Sequence, residues 1–360
     1  MRQVPSRYHR GVPLPALHSD SPLLHRHALA VGDGHVLNVE EYGNARGIPA
    51  LILHGGPGSG CSPLLRRFFD PRRYRMICLD QRGAGGSRPR GSTLRNTTAD
   101  LLADLRLLRG HLGLSRWFVV GGSWGATLAL AHAAAEPDAV QALLLRASFL
   151  ARREDIGWFF QDAATEVPAA WARFAGAAPA EHRAALLPWL RRVFSAAEPA
   201  EQMRAARAWW AWEQALASQG NVALPLSLIP TGDGRREAAA LGRSDLSATP
   251  APPEGAALAA LVDRYRVQSH YLAHDCWLTA PPLLDRLTTL PQVPTLLLHA
   301  DDDRICRPAG AAALHERVPH SRLRWVAGAG HEPAHPAMAS AMLAALDSYA
   351  EQGAFDGVMP

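Results

Sequence analysis

The chain has 360 residues, of which 48% are hydrophobic and 19% are charged. This composition excludes an intrinsically disordered chain, and the length predicts one large domain or two modest ones. The formal net charge of +4 is spread over the chain without a clustered basic stripe, so it does not favour a nucleic-acid-binding protein.

The N-terminal segment lacks the pattern of a secretory signal peptide. Residues 1–20 contain three arginines, two histidines and three prolines, with no apolar stretch. No apolar run in the chain approaches the roughly 18 residues that a membrane-spanning helix requires. The four cysteines form no CxxC pair, which argues against a structural zinc site and fits a reducing compartment. We therefore expect a cytoplasmic protein without a membrane or nucleic-acid partner.

Strand and helix patterns alternate through the first 150 residues. Alternating apolar and polar residues predict a half-exposed strand at residues 37–40. Short apolar runs predict further strands at residues 50–54, 75–80, 117–122 and 142–146. Leucines at helical spacing predict an amphipathic helix that starts near Asn96, and a second helix is predicted from Thr127 to Ala135. Strand patterns return at 294–299 and 323–328. Such alternation predicts a mostly parallel sheet that is covered by helices on both faces.

The middle of the chain has a different pattern. Residues 152–219 are rich in alanine, arginine, tryptophan and leucine at helical spacing, whereas residues 221–255 are rich in proline, glycine, serine and threonine and predict a long loop. A second helical stretch extends to about Asp285. We therefore predict an α/β core made of residues 1–150 and 288–360. Residues 151–287 are predicted to form an inserted helical cap domain.

The candidate nucleophile lies in Gly121-Gly-Ser-Trp-Gly, between a predicted buried strand and a predicted helix. In a G-x-S-x-G elbow the glycines permit a tight turn that lifts the serine hydroxyl above the sheet. The motif alone is a weak signal, because a turn of small residues can match it by chance. Its strand–turn–helix context is the one that the elbow requires, so Ser123 is the candidate. A serine hydroxyl also needs a general base to remove its proton.

Candidate partners of the serine follow the last two predicted strands. With this elbow, the acidic residue and then the histidine follow the serine along the chain. Asp301, Asp302 and Asp303 come directly after the first of these strands, and each can fill the acidic position. His331 follows a Gly-Ala-Gly turn after the last strand and is favoured over His335, which lies deeper in the next segment. Parallel sheets place their sites at such strand ends.

A glycine-rich loop supplies the candidate oxyanion hole. Acyl transfer requires N–H donors for the negative charge that develops on the carbonyl oxygen. His54-Gly-Gly-Pro-Gly follows a predicted buried strand. We expect the N–H groups of Gly56 and of Trp124, the residue after the serine, to be these donors. The side chain of His54 is expected to support the loop and not to transfer a proton.

Together these motifs resemble those of the proline iminopeptidase (prolyl aminopeptidase) family of α/β-hydrolases. The resemblance covers most of the chain and rests on His54-Gly-Gly-Pro-Gly, Asp80-Gln-Arg-Gly-Ala-Gly-Gly-Ser, Asn96-Thr-Thr, Gly121-Gly-Ser-Trp-Gly-Ala-Thr-Leu-Ala-Leu and Gly328-Ala-Gly-His. It implies the α/β-hydrolase fold, serine exopeptidase chemistry on peptides with N-terminal proline, and no metal or cofactor. The family sequence H-G-R-Y-D corresponds here to His299-Ala-Asp-Asp-Asp, which implies that Asp303 is the catalytic acid and that Asp301 and Asp302 are loop charges.

The resemblance also implies four substrate-binding residues. Ala208-Trp-Trp-Ala-Trp-Glu is similar to the family's A-W-x-x-W-E, which implies that Glu213 binds the protonated amine of the substrate. The alternative for Glu213 is an exposed helix charge. Phe149 and Phe159 lie in stretches that resemble the family's proline pocket. The family's A-R-I-E-N-H-Y, with a second amine-binding glutamate, corresponds to Tyr265-Arg-Val-Gln-Ser-His-Tyr, so the neutral Gln268 replaces a carboxylate.

Three functions remain open at this point. The first is a serine exopeptidase that releases N-terminal proline through an acyl-enzyme on Ser123, with His331 moving the proton and Asp303 orienting His331. The second is an esterase or amidase of the same fold with a relaxed cap. A ligand-binding or scaffold protein without catalysis is disfavoured, because all three residue types of the triad are present. Activity on proline amides and on acyl esters discriminates between the first two.

Overall fold

An eight-stranded sheet lies at the centre of the fold in this computed structural model, which describes residues 15–218 and 253–356. The strands are β1 (Leu23–Gly32), β2 (His35–Gly43), β3 (Ile48–Leu53), β4 (Tyr74–Leu79), β5 (Trp117–Gly122), β6 (Val140–Arg146), β7 (Thr295–Ala300) and β8 (Arg322–Val326). Their order across the sheet is β1-β2-β4-β3-β5-β6-β7-β8. The β1–β2 and β2–β4 pairs are antiparallel and the other pairs are parallel. The predicted mostly parallel α/β-hydrolase sheet is confirmed.

The helices of the described residues follow the strands on both faces of the sheet. They are α1 (Pro63–Arg66), α2 (Thr98–His111), α3 (Trp124–Ala135), α4 (Arg153–Phe160), α5 (Pro168–Gly176), α6 (Leu186–Ala196), α7 (Pro199–Ala217), α8 (Gly255–Ala273), α9 (Leu283–Arg286), α10 (Pro308–Arg317) and α11 (Pro336–Gln352). None of them is long and apolar enough to cross a lipid bilayer.

Alternate residues of the central strands contribute to two separate apolar clusters, because successive side chains of a strand point to opposite faces. In β5, Trp117 and Val119 belong to the cluster that includes helices α2 and α3. Phe118 and Val120 belong to the cluster that includes helix α11. All four side chains are buried. Burial on both faces explains why this strand is apolar without alternation in the sequence.

The first strand, β1, was not predicted from the sequence. It lies at the edge of the sheet and pairs with β2 alone. Leu29 is its one fully buried residue. Histidine and arginine side chains occupy much of its exposed surface, so it lacks the apolar run that marks the central strands. Charged residues on an edge strand also discourage pairing with another chain.

Between β6 and β7 the described residues are largely helical, as the composition predicts. Helices α4 to α7 fall within the predicted helical stretch 152–219, and α8 begins at Gly255. The predicted loop at 221–255 lies almost entirely outside the described residues. The division into a core of residues 1–150 and 288–360 and a cap of residues 151–287 stays a prediction.

Hydrogen bonds attach helix α8 to the loops of the sheet. The Tyr271 hydroxyl donates to Oδ1 of Asn96 at 2.8 Å, and the Asn96 Nδ2 donates to the Arg82 carbonyl at 3.1 Å. Thr98 donates through Oγ1 to the Cys276 carbonyl at 2.6 Å. The Asn-Thr-Thr motif before α2 therefore positions α8 relative to the carboxyl edge of the sheet.

Candidate active site

Ser123 lies on a strained turn between β5 and α3. Its backbone has φ 55° and ψ −123°, a conformation that is uncommon for residues other than glycine. The chain packs so closely here that a Cβ on Gly121 would lie 2.3 Å from the Gly125 carbonyl oxygen. A Cβ on Gly125 would lie 2.1 Å from the Leu53 carbonyl oxygen. Both outer glycines of the motif are therefore required by backbone contacts, which agrees with the predicted nucleophile elbow.

The Asp303 carboxylate holds the His331 imidazole. Nδ1 of His331 donates to Asp303 Oδ2 at 2.9 Å and lies 3.1 Å from Oδ1. Asp303 is only 1% exposed, and its Oδ1 also accepts the backbone N–H groups of Ile305 at 3.0 Å and Cys306 at 2.8 Å. These N–H groups belong to the loop after β7. The backbone of this loop therefore orients the carboxylate, and the carboxylate in turn orients the imidazole.

The neighbouring aspartates and the second histidine have other contacts. Oδ1 of Asp301 accepts the Gly328 N–H at 3.0 Å, and Asp302 forms an ion pair with Arg304 at 2.9 Å. His335 precedes helix α11 and is hydrogen-bonded through its backbone N–H to the Glu332 carbonyl. Among the three aspartates, the structure brings Asp303 to His331.

The pair shifts the pKa of each of its members. Burial acts to raise the pKa of Asp303, but the charge of His331 and its hydrogen bond lower it below the usual value. Burial acts to lower the pKa of His331, but the charge and hydrogen bond of Asp303, together with the contribution of Cys306, outweigh burial and raise it. Asp303 therefore stabilises the imidazolium that forms when His331 accepts a proton.

Cys306 lies beside the serine, although no motif in the sequence marks it as a functional residue. Its Sγ is 3.7 Å from Ser123 Oγ, which is the hydrogen-bond contact of that hydroxyl within the described part of the chain. Burial raises the pKa of the Cys306 thiol, which keeps it neutral. The serine hydroxyl must therefore turn from Cys306 towards His331 before proton transfer. Such contacts are often loose in proteins without substrate.

The His54-Gly-Gly-Pro-Gly loop is held against the elbow. Nδ1 of His54 donates to the Gly55 carbonyl at 2.8 Å, and its Nε2 accepts the Gln81 backbone N–H at 3.1 Å. The Gln81 side chain in turn accepts the Trp124 indole N–H at 2.8 Å. Both ring nitrogens of His54 are engaged in these bonds, which fits the expected supporting role.

The two predicted oxyanion donors are Gly56, in the glycine-rich loop, and Trp124, the residue after Ser123. Trp124 is the first residue of α3, where N–H groups have no acceptor within the helix. Gly56 lines the same pocket as Ser123. The backbone of Gly55 also approaches the nucleophile, since a Cβ on it would be 4.0 Å from Ser123 Oγ. Gly55 is thus a further backbone candidate that sequence reasoning missed.

A pocket opens beside Ser123 and contains all four predicted substrate-binding residues, Phe149, Phe159, Glu213 and Gln268. Phe159 is packed at ring-centroid distances of 4.9 Å from Phe160 and 6.2 Å from Trp212. The aromatic wall comes from α4, α7 and the segment after β6, so a flat apolar ring can pack on it.

Glu213 is buried in this pocket, with 7% of its surface exposed, so the alternative of an exposed helix charge is wrong. The Tyr265 hydroxyl donates to its Oε2 at 2.8 Å. Nη2 of Arg264 donates to Oε2 at 3.1 Å and to Oε1 at 3.2 Å. Sequence reasoning missed Arg264, although it stands four residues before Gln268 on α8 and therefore on the same helix face.

Gln268 lies at the pocket wall with 8% of its surface exposed. Its Oε1 is buried and has no hydrogen-bond partner among the described residues. Buried polar atoms are normally paired, and an unpaired acceptor that faces a pocket is available to a ligand donor.

Comparison with known proteins finds relatives over nearly the whole chain. A family model described as alpha/beta hydrolase fold matches residues 49–335. The proline iminopeptidase of Xanthomonas citri is 36% identical over 325 residues, which are 90% of this chain and 96% of that protein. The proline iminopeptidase of Xylella fastidiosa (strain Temecula1) is 35% identical over 323 residues, which are 89% and 95% of the two chains.

Solved structures share the fold at lower identity. The proline iminopeptidase-related protein of Thermus thermophilus has a TM-score of 0.51 and 20% identity, and the match covers 91% of this chain and 97% of that one. At this identity the likeness supports the fold alone.

Proposed function

The chain belongs to the proline iminopeptidase family of α/β-hydrolases, and from this membership we propose that it is a serine exopeptidase that releases N-terminal proline from peptides. The observation that carries the proposal is the pocket beside Ser123. A strained serine, an imidazole held by a buried carboxylate, an aromatic wall and the buried Glu213 side chain all face it. Its substrates are short peptides, and the helical segment after β6 acts as the cap over the site.

Catalysis proceeds through an acyl-enzyme. Ser123 Oγ attacks the carbonyl carbon of the N-terminal proline while Nε2 of His331 takes the hydroxyl proton. Asp303 stabilises the resulting imidazolium. The N–H groups of Gly56 and Trp124 bind the oxyanion of the tetrahedral intermediate. His331 then donates the proton to the leaving amine, and water hydrolyses the acyl-enzyme by the same steps with His331 again as the base.

The pocket distinguishes a proline substrate by its ring and its amine. The ring packs on Phe149 and Phe159, and the protonated amine lies on the side of Glu213 and Gln268. Recognition of a free amine next to the scissile bond admits one residue before that bond, which makes the enzyme an exopeptidase. The four cysteines are buried and free, which fits a cytoplasmic enzyme.

A hydrolysis screen tests the proposal. Arylamides of proline, alanine and hydroxyproline are compared with short acyl esters, with kcat/KM measured for each. We expect proline arylamide to have the highest kcat/KM of the amides, at a value comparable with those of the esters. Turnover of esters without turnover of proline arylamide would replace the peptidase by an esterase of the same fold.

A further inference from the structure

The charges of the pocket point to one carboxylate that forms no ion pair with a described residue. Four carboxylates of the described residues line the pocket: Asp155, Glu213, Asp263 and Glu332. The first three are each paired with an arginine, at N–O distances of 2.8, 3.1 and 2.8 Å: Asp155 with Arg152, Glu213 with Arg264, and Asp263 with Arg266. The side-chain carboxylate of Glu332 makes no ion pair or hydrogen bond with any described residue.

Glu332 lies beside the reacting groups, because it directly follows His331 in the loop after β8. Burial raises its pKa. The positive charges of His331, Arg146 and Arg264 act to lower that pKa, and Glu213 acts to raise it. Within the described ranges no cation is close enough to form an ion pair with it, so the carboxylate oxygens are available to the ammonium group of a ligand.

The two other acceptors near the amine end of the pocket have no free charge. Glu213 is neutralised by Arg264 and also accepts the Tyr265 hydroxyl. Gln268 is uncharged, but its buried Oε1 lacks a partner among the residues described. Ammonium binding requires an ionised acceptor together with further hydrogen-bond acceptors. Glu332 supplies the carboxylate, whose ionised form a bound ammonium would itself favour, and Gln268 supplies the further acceptor.

We propose that Glu332 is the carboxylate that binds the protonated N-terminal amine of the substrate, with Gln268 Oε1 as a second acceptor. The inference rests on the proposed function, since the amine is what an aminopeptidase substrate presents here. The carboxylate that is absent at Gln268 on α8 is then replaced by one on the loop after β8. Glu332 is in this sense a specificity residue, and it takes no part in proton transfer.

The test uses Glu332→Gln, which removes the charge and keeps the shape. We expect kcat/KM for proline arylamide to fall by about 10- to 100-fold, mainly through KM, because a charge-assisted hydrogen bond is lost. The same variant should keep the wild-type kcat/KM on a neutral acyl ester. Asp263→Asn is the matched control. It also removes a pocket carboxylate, but one that is already paired, so the amide-to-ester ratio should not change.

A double variant tests whether charge is the cause. Glu332→Gln combined with Gln268→Glu moves the carboxylate across the pocket and should restore much of the activity on proline arylamide. Equal losses on amide and ester in Glu332→Gln, or an unchanged ratio, would overturn the inference and leave the proposed function intact. Failure of the wild-type protein to cleave proline arylamide, with esters still cleaved, would overturn the proposed function and this inference with it.

Discussion

The strand-end loops and the helical wall of the pocket build their parts of the site in different ways. Ser123 and Asp303 are held by backbone contacts: the first by glycine packing at the elbow, the second by two N–H groups of its own loop. Glu213 and Gln268 instead project from helices α7 and α8, and Glu213 is held there by side-chain hydrogen bonds. Reactivity is therefore encoded in the backbone, and selectivity in side-chain pairs that single substitutions can rearrange.

If that contrast is correct, substitutions at the strand ends change the activity on all substrates alike, whereas substitutions in the helical wall change the activity only on substrates with a free amine. The largest effect is expected for Ser123→Ala, which removes the nucleophile. Turnover of proline arylamide and of acyl ester should both fall on the order of 10⁶-fold, with the circular dichroism spectrum unchanged. A fluorophosphonate should label the wild-type protein at Ser123. Labelling at another residue would contradict the assignment.

The next effect is that of Asp303→Asn. The imidazole loses both its orientation and the partner of its cationic form, so kcat should drop on the order of 10⁴-fold for both substrate classes. Asp302→Asn is the control, because that side chain pairs with Arg304 at the surface of the loop and should have a mild effect. Greater sensitivity at Asp302 would mean that the catalytic position is one residue earlier.

Two changes in the helical wall should separate the substrates. Gln268→Glu adds an ionised acceptor and should raise kcat/KM on proline arylamide by about 10-fold or more, with esters almost unchanged. Glu213→Gln should lower the arylamide activity far more than the ester activity, because it leaves the Arg264 charge unpaired beside the substrate amine. An amide-to-ester ratio that stays constant in both variants would show that the wall does not recognise the amine.

The smallest of these effects is the pH dependence of kcat/KM, which depends on the strand-end residues His331 and Asp303. His331 must be neutral to act as a base, and its folded-state pKa is raised by Asp303. For a neutral ester, kcat/KM should therefore increase with pH, with a midpoint above the ordinary histidine value of about 6.5. In Asp303→Asn the residual activity should have a lower midpoint, because the charge that raises the pKa is gone. A wild-type midpoint below the ordinary value would be inconsistent with the pair.

The sequence predicts the strand-end part of the site better than the charges of the pocket wall. The elbow is predictable because close backbone contacts require its glycines. Asp303 is predictable because the family pattern spans the whole loop. Strand β1 is not predictable, since an edge strand with one buried residue has no regular apolar pattern in its sequence. Arg264 and Glu332 carry no motif. Their importance depends on which charges lie across the pocket, and that information is long-range in sequence.

The backbone of Ser123 also has a consequence for the thermodynamics of the fold. A non-glycine residue at φ 55° and ψ −123° costs on the order of 1–3 kcal/mol, which the surrounding packing must offset. Glycine has no Cβ and adopts this conformation without that cost. We therefore expect Ser123→Gly to be inactive yet at least as resistant to urea as the wild-type protein. Ser123 is therefore a position at which the free energy of unfolding is lower than the same fold would have with glycine.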